Sequence, residues 1–152
     1  MHADPEVMDD LGGPIEGVAS DDKFDRYIAA HREYGISRWA IEEAGGLFVG
    51  YAGVMPRMSS SHPLGPHYEV GWRLIRSAWG RGYATESAAA ALDHAFKHAG
   101  LQEILAYTSA ENSRSQAVMK RLGLKRDPSR DFTAEYGILG QWRGLVWVSR
   151  AP

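Results

Sequence analysis

The residues best suited to chemistry form a glycine-containing turn, Ser77-Ala78-Trp79-Gly80-Arg81-Gly82, between a predicted strand and a predicted helix. Glycines at the start of a helix expose backbone N–H groups, and the helix dipole adds partial positive charge at the same place. Such a turn suits a phosphate or a pyrophosphate. A tight strand-to-helix connection that binds nothing explains the same glycines equally well, because a G-x-G pattern alone is weak evidence.

Two common phosphate-binding motifs do not match this turn. A P-loop needs a second glycine five residues after its first, followed by a lysine. Five residues after Gly80 this chain has Thr85, so the motif is absent. A dinucleotide fingerprint needs a glycine or alanine at that same position and an acidic residue that closes the following strand. Glu103 begins the next predicted strand instead of ending it. A nucleotide- or NAD-binding protein is therefore the weakest of the functions considered.

The segment Trp79-Gly80-Arg81-Gly82-Tyr83-Ala84-Thr85-Glu86 resembles the acyl-CoA-binding turn of the GNAT N-acetyltransferases, and it is most similar to the RimJ/RimL-like branch. A second segment, Asn112-x-x-Ser115 followed by Gly123-Leu124, resembles the N-x-x-S…G-F segment of that branch. The resemblance covers roughly residues 4–150. It implies an α/β (α+β) fold with a mixed, mostly antiparallel central sheet flanked by helices, in a single domain over residues 1–152.

The resemblance also implies acetyl-CoA as co-substrate and assigns roles to individual residues. Leu74 and Ile75 should offer backbone groups to the pantetheine arm where two strands separate. Arg81 should add a charge near the phosphates, and Asn112 should hydrogen-bond the pantetheine or its neighbouring loop. The pyrophosphate should be surrounded, mostly through backbone N–H groups, by Gly80, Arg81, Gly82, Tyr83 and Ala84.

Two positions depart from the family pattern. The turn often begins with Gln or Arg three residues before its first glycine, and this chain has Ser77 there. Many members carry a general-acid tyrosine seven residues after the asparagine, and this chain has Met119, which cannot donate a proton. Ser115 is then the nearest candidate to stabilise the leaving thiolate. A hydrogen bond is its expected contribution, because the pKa of a serine is too high for a free acid.

Glu69 is the candidate general base. An attacking amine must be neutral, and most amines are protonated at pH 7. Glu69 lies on the strand before the turn and resembles the position of a base in several family members. The alternative is a solvent-facing strand residue, since alternation places Glu69 on the face opposite Val70.

Other polar residues have weaker claims. His94 and His98 are four apart on a predicted helix, but no third metal ligand is evident, so we predict a solvated face and no metal site. His62 and His67 flank a loop near Glu69 and could assist as bases, although loop histidines are usually only exposed. Glu86 lies in the first turns of the long helix, where it should stabilise the helix dipole.

Composition limits the class of protein. The chain has 152 residues, 44% of them hydrophobic, and a net charge of −2. No basic field favours a nucleic-acid partner, and no apolar run approaches the roughly 18 residues that span a membrane. The absence of cysteine excludes a thiolate metal site and a cysteine nucleophile and fits a cytoplasmic location. A monomer and a homodimer are both compatible with the sequence.

Hydrophobic periodicity gives the order helices, hairpin, strand, helix, strand, helix, strand. The helices are expected near residues 4–12, 21–34, 83–99 and 113–122, and the strands at 38–41, 47–51, 68–74, 103–108 and 145–148. We expect Ser20 to cap the second helix and Gly35 to end it. Family members usually begin with a strand before the segment that matches His2-Ala3-Asp4-Pro5, so we expect this sheet to lack that first strand. Either the start was assigned late or the protein has lost an edge strand.

The acceptor cannot be inferred from residues 127–143, where Arg130, Asp131, Phe132, Glu135 and Tyr136 form no interpretable motif. Ribosomal-protein N-termini, other peptide amines and small-molecule amines remain open. The leading hypothesis is an N-acetyltransferase that acts by direct attack in a ternary complex, because no cysteine can carry the acyl group. The alternative is a weakly active or inactive acyl-CoA-binding module.

Overall fold

A seven-stranded sheet forms the centre of the computed structural model, which describes residues 1–135 and 140–152. The strands are β1 (Arg38–Glu42), β2 (Phe48–Arg57), β3 (His67–Leu74), β4 (Glu103–Thr108), β5 (Lys125–Arg126), β6 (Phe132–Glu135) and β7 (Gln141–Arg150). The helices are α1 (Pro5–Met8), α2 (Gly17–Tyr34), α3 (Tyr83–Lys97) and α4 (Ser113–Arg121). The mixed α/β fold predicted from the sequence is confirmed.

The sheet order is β1-β2-β3-β4-β7-β5, with β6 paired to β7. All pairings are antiparallel except that of β3 with β4, which are parallel and joined at a single register position, Glu69 opposite Leu105. Parallel neighbours need a crossover, and α3 provides it. Beyond that position the two strands have no further paired residues, so they separate towards their carboxyl ends. Among the described residues, none before Arg38 forms a strand.

Helices α3 and α4 cover one face of the sheet. The buried side of α3 consists of alanines and one leucine, which pack with Val70 of β3 and Met119 of α4 in the main core. Small side chains let the helix approach the sheet closely. Gly35 ends α2 in a left-handed conformation with φ of 69°, as predicted.

The opposite face is covered by α2 and by the chain around β6. Tyr51 of β2 contacts Phe24 and Tyr27 of α2, and Leu105 of β4 packs with Phe132. The predicted Ser20 cap is wrong, because α2 begins at Gly17 and the Ser20 hydroxyl lies 2.7 Å from His2 Nδ1. Strands β5 and β6 were not predicted from the sequence.

Candidate active site

A groove of about 1000 Å³ opens where β3 and β4 separate. Its walls come from α1, the end of β3, the glycine turn, the loop after β4, the first turns of α4, and β7. Of the predicted site residues, Leu74, Gly80, Ala84, Asn112 and Ser115 line this groove. Two segments that are far apart in the sequence, residues 74–84 and 112–115, are thus brought together.

The glycine turn leads directly into α3. Gly80 and Gly82 have φ of 73° and 87°, a left-handed conformation that disfavours side chains. Gly82 is the N-cap of α3 and offers no side chain to the first helical N–H groups. A Cβ at either glycine would meet nothing within 4 Å. The turn therefore combines open space with uncapped donors, which is the geometry that suits an anion.

Two aromatic residues are held around the turn. The indole Nε1 of Trp79 donates to the Leu74 carbonyl at 3.1 Å, and the guanidinium of Arg114 lies 4.0 Å from the Trp79 ring centre. The Tyr83 hydroxyl donates to Glu43 at 3.0 Å, and burial together with this hydrogen bond raises the pKa of Tyr83. Arg114 was not predicted, because nothing in its spacing marks it.

Arg81 and Ile75 have partners within the protein. Arg81 Nη1 donates to Glu43 at 2.6 Å, so its charge is already paired with the hairpin between β1 and β2. The Ile75 N–H donates to the Val49 carbonyl, and its own carbonyl accepts from Ala78. Their direct contacts to acetyl-CoA stay predictions.

Asn112 and Ser115 lie at the start of α4. Asn112 Oδ1 accepts from the Ser115 N–H at 3.0 Å and caps the helix, while Asn112 Nδ2 donates to Asp10 at 3.2 Å. The Asn112 amide therefore shapes the loop beside the groove. The Ser115 hydroxyl has no hydrogen-bond partner among the described residues and is half-buried, so it can donate to a ligand.

Asp10 is a site residue that the sequence did not reveal. Its Oδ2 accepts from Thr108 Oγ1 at 3.2 Å and from the Ser109 N–H at 3.4 Å, and its Oδ1 accepts from Trp142 Nε1 at 3.3 Å. With the bond to Asn112, these bonds join the 3-10 turn after α1 (Asp9–Leu11) to β4, to the start of α4 and to β7. No local pattern links residue 10 to partners about a hundred positions away.

Glu69 lies on the α2 side of the sheet, outside the lining of the groove. Its carboxylate pairs with Arg38 at 3.0 Å and with Arg57 at 2.6 Å, and its side chain is 12% exposed. Burial would raise the pKa of Glu69, but the two guanidinium groups outweigh that effect and lower it to about 2. Glu69 is thus neither a solvated strand residue nor a carboxylate free of partners.

The other candidates have structural partners. The ring centres of His62 and His67 lie 4.7 Å apart, with the rings tilted by 59°, beside Tyr107. Burial lowers the pKa of His62. His94 and His98 lie 5.1 Å apart, and no three potential metal ligands cluster in residues 1–135 and 140–152.

The segment whose role could not be inferred is fixed by ion pairs. Arg130 pairs with Glu103 at 2.6 Å, and Asp131 pairs with Arg126 at 2.6 Å. Phe132 packs between Tyr107 and Trp142. Tyr136 lies outside the described residues. No helix of the described part is both long and apolar enough to cross a membrane.

Known proteins resemble the chain in sequence and in structure. The uncharacterized protein YkkB of Bacillus subtilis (strain 168) is 28% identical over 122 residues, which are 80% of this chain and 69% of YkkB. The acetyltransferase of Agrobacterium tumefaciens str. C58 superposes with a TM-score of 0.76 at 27% identity, over 98% of this chain and 80% of that chain.

A third neighbour was solved with its ligands. Spermidine N-acetyltransferase from Vibrio cholerae, in complex with CoA and spermine, has a TM-score of 0.74 at 17% identity, over 98% of this chain and 85% of that chain. At this identity the likeness concerns the fold. The family model of the acetyltransferase (GNAT) domain matches residues 1–125, most of the chain. This chain, whose strands β3 and β4 separate beside a glycine turn, therefore belongs to the GNAT acetyltransferase family.

Proposed function

We propose that this protein transfers an acetyl group from acetyl-CoA to a primary amine by direct attack in a ternary complex. The observation that carries the proposal is the continuity of one groove from the glycine turn to the gap between β3 and β4. A pyrophosphate at the turn and a thioester in the gap would both fit within it.

Acetyl-CoA binding is assigned to the turn and to the strand end before it. The N–H groups of residues 81–84 receive the pyrophosphate, with Gly80 and Gly82 leaving room for its oxygens. Arg114, on the groove wall, adds a positive charge that the sequence motif does not include. Leu74 and Ile75 border the pantetheine at the gap, and Asn112 keeps the opposing loop in place.

In the proposed reaction the amine nitrogen attacks the thioester carbonyl, the C–N bond forms, and the C–S bond breaks. The amine loses a proton and the departing thiolate gains one. Ser115 donates a hydrogen bond to that thiolate, which lowers the cost of its negative charge. Met119 is 2% exposed and packs in the main core, so it contributes packing only.

The role of Glu69 as the general base stays a hypothesis. A carboxylate with a pKa near 2 accepts a proton weakly, and its two arginine partners must yield before it can do so. A water held between Glu69 and the groove would be needed to relay the proton. The alternative is that solvent deprotonates the amine and Glu69 only holds Arg38 and Arg57 in place.

An acyl-CoA-binding module without turnover is the second candidate, and Met119 at the position of the family's tyrosine favours it. Release of free CoA thiol, measured with acetyl-CoA and a broad panel of primary amines, separates the two. Amine-dependent release supports the enzyme, while acetyl-CoA binding without release supports the module. Membership of the RimJ/RimL-like branch, supported by the segment Trp79–Glu86, and a cytoplasmic location belong to the same proposal.

A further inference from the structure

The face of the sheet covered by α2 carries more cationic than anionic side chains. Arg38, Arg57 and Arg73 extend from β1, β2 and β3, and Lys23 of α2 lies near them. Glu69 is the carboxylate paired with this group, and its two oxygens are taken by Arg38 and Arg57. Among residues 1–135 and 140–152, no hydrogen bond or ion pair joins Arg73 or Lys23 to a carboxylate.

Arg73 is the residue of this group that reaches the groove. It stands opposite Tyr51 in the β2–β3 register, and its guanidinium lies 5.7 Å from the Tyr51 ring centre. Its Nε and Nη1 are buried and have no hydrogen-bond partner in the part of the chain that the structure describes. The side chain as a whole is partly exposed and lines the groove, so an anion there would meet a guanidinium whose charge no carboxylate of the described residues pairs. A guanidinium presents a planar fork that matches a carboxylate or a phosphate.

Lys23 adds to the same positive region. Burial and the nearby charges of Arg73, Arg26 and Arg57 together lower the pKa of Lys23 to about 8, although Glu69 acts in the opposite direction. An anion bound beside Arg73 would relieve this repulsion. A polycation would increase it.

The position of Arg73 separates this region from the proposed acetyl-CoA turn. Val70, on the other side of β3, packs against α3, whereas Arg73 lies against Tyr51 on the α2 side. Arg73 also precedes Leu74, which borders the gap where the thioester would lie. If acetyl-CoA occupies the glycine turn, an anion held by Arg73 on the opposite face of β3 belongs to the second substrate, the acceptor.

We propose that the acceptor is a small primary amine that carries an anionic group, a carboxylate or a phosphate, and that Arg73 binds this group with help from Lys23. The inference rests on the proposed acetyl transfer and specifies its substrate class.

The test uses matched pairs of amines that differ in one charge. β-Alanine is compared with β-alaninamide for the carboxylate, and O-phosphoethanolamine with ethanolamine for the phosphate, with spermine as a polycation. CoA release should show kcat/KM higher by about 10–100-fold for the anionic member of at least one pair. The pair with the larger ratio identifies the group.

Arg73→Gln should abolish this preference by raising the KM for the anionic acceptor, while the KM for acetyl-CoA and the thermal midpoint stay unchanged. Arg73→Lys should keep part of the preference, because the positive charge is retained although the planar fork of the guanidinium is lost. Arg32→Gln, an exposed arginine on α2, is the matched control and should behave as the parent protein. A preference that survives in Arg73→Gln, equal rates within both pairs, or turnover of spermine alone overturns the proposal.

Calorimetric binding of O-phosphoethanolamine and β-alanine in the presence of CoA gives a readout that does not depend on turnover. Binding that Arg73→Gln removes supports the anion site even if no CoA is released, in which case only the proposed catalysis fails. Absence of binding of both anions overturns the site, whatever the activity on neutral amines.

Discussion

At the scale of single residues, the same side chain type has different consequences in different surroundings. Glu69 and Glu103 each pair with two arginines, but Glu69 is 12% exposed and Glu103 is 33% exposed. A buried carboxylate that loses its charge leaves its partners unpaired, whereas water replaces the partners of an exposed one. Burial thus determines what each substitution costs.

Glu69→Gln should destabilise the protein by about 3–5 kcal/mol, because Arg38 would keep its charge in a buried site with no counter-ion. Glu103→Gln, the matched control, should cost about 1 kcal/mol or less. Urea unfolding at pH 7 measures both. Equal costs for the two variants would contradict this account of Glu69.

The pH profile of the same variant tests catalysis separately. If Glu69 is the base, the rate of Glu69→Gln should fall most near neutral pH and recover partly at high pH, where neutral amine is plentiful. Parallel profiles of variant and parent between pH 6 and 9, once the folded fractions are equal, would leave Glu69 with the role of an ion-pair partner.

Ser115→Ala should lower kcat at saturating substrates by about 10–100-fold, because the thiolate would lose one hydrogen bond. Met119→Leu keeps the core volume and should leave kcat unchanged, since Met119 has no proton to donate. A CoA-release assay measures both. An unchanged kcat in Ser115→Ala would remove this hydroxyl from the mechanism.

At the scale of elements, the glycine turn and the start of α3 act together. Gly82→Asp would place a carboxylate against the proposed pyrophosphate and should weaken acetyl-CoA binding by more than about tenfold. Gly100→Asp, at another glycine with positive φ (66°) at the far end of α3, controls for backbone strain. Calorimetry measures the affinity. Equal affinities for the two variants would place the pyrophosphate elsewhere.

Asp10 connects elements that the sheet alone does not join. Its bonds to Thr108, Ser109, Asn112 and Trp142 hold the turn after α1 beside the groove. Asp10→Ala should therefore cost about 1–3 kcal/mol of unfolding free energy, because several donors would lose their acceptor. Asp9→Asn, its exposed neighbour, should cost nothing measurable. A similar loss in both variants would indicate a general effect of charge.

How far the sequence predicted these elements depends on how local their signals are. The alanine stripe of α3 and the apolar run of β4 predicted their elements closely, and β4 matches at both ends. α2 began three residues before its expected cap, because its first turn uses backbone bonds without a capping side chain. β5 has two residues and β6 has four, too few for a periodic pattern, and both depend on pairing with β7.

The residues of the candidate site also differ in how far the sequence could predict them. The glycine turn and the Asn112–Ser115 pair are contiguous motifs, so the sequence alone revealed them. The partners of Glu69, the hydrogen bonds of Asp10 and the position of Arg73 arise from register between strands and from contacts between distant segments. No spacing along the chain encodes them.

At the scale of the whole molecule, buried titratable groups make stability depend on pH in two steps. Burial lowers the pKa of His2 from 6.5 to about 4, with Arg73 and Lys23 adding to the effect, so His2 is neutral in the folded protein. The unfolded chain binds a proton at this residue below pH 6.5, and stability therefore falls between about pH 6.5 and 4. Glu69, whose pKa falls from 4.5 to about 2, adds a second loss between those values.

The two steps can be separated by substitution. The urea midpoint of the parent protein, followed from pH 8 to pH 3, should fall first between about pH 6.5 and 4, where His2 costs up to about 3 kcal/mol. It should fall again below about pH 4.5, where Glu69 costs about 2 kcal/mol by pH 3. His2→Gln keeps a polar side chain between Ser20 and Tyr51 without a titrating ring, so it should flatten the first step and leave the second. Glu69→Gln should do the reverse. A first step that persists in His2→Gln would mean that another group titrates there, and the buried ring would then contribute hydrogen bonds without pH dependence.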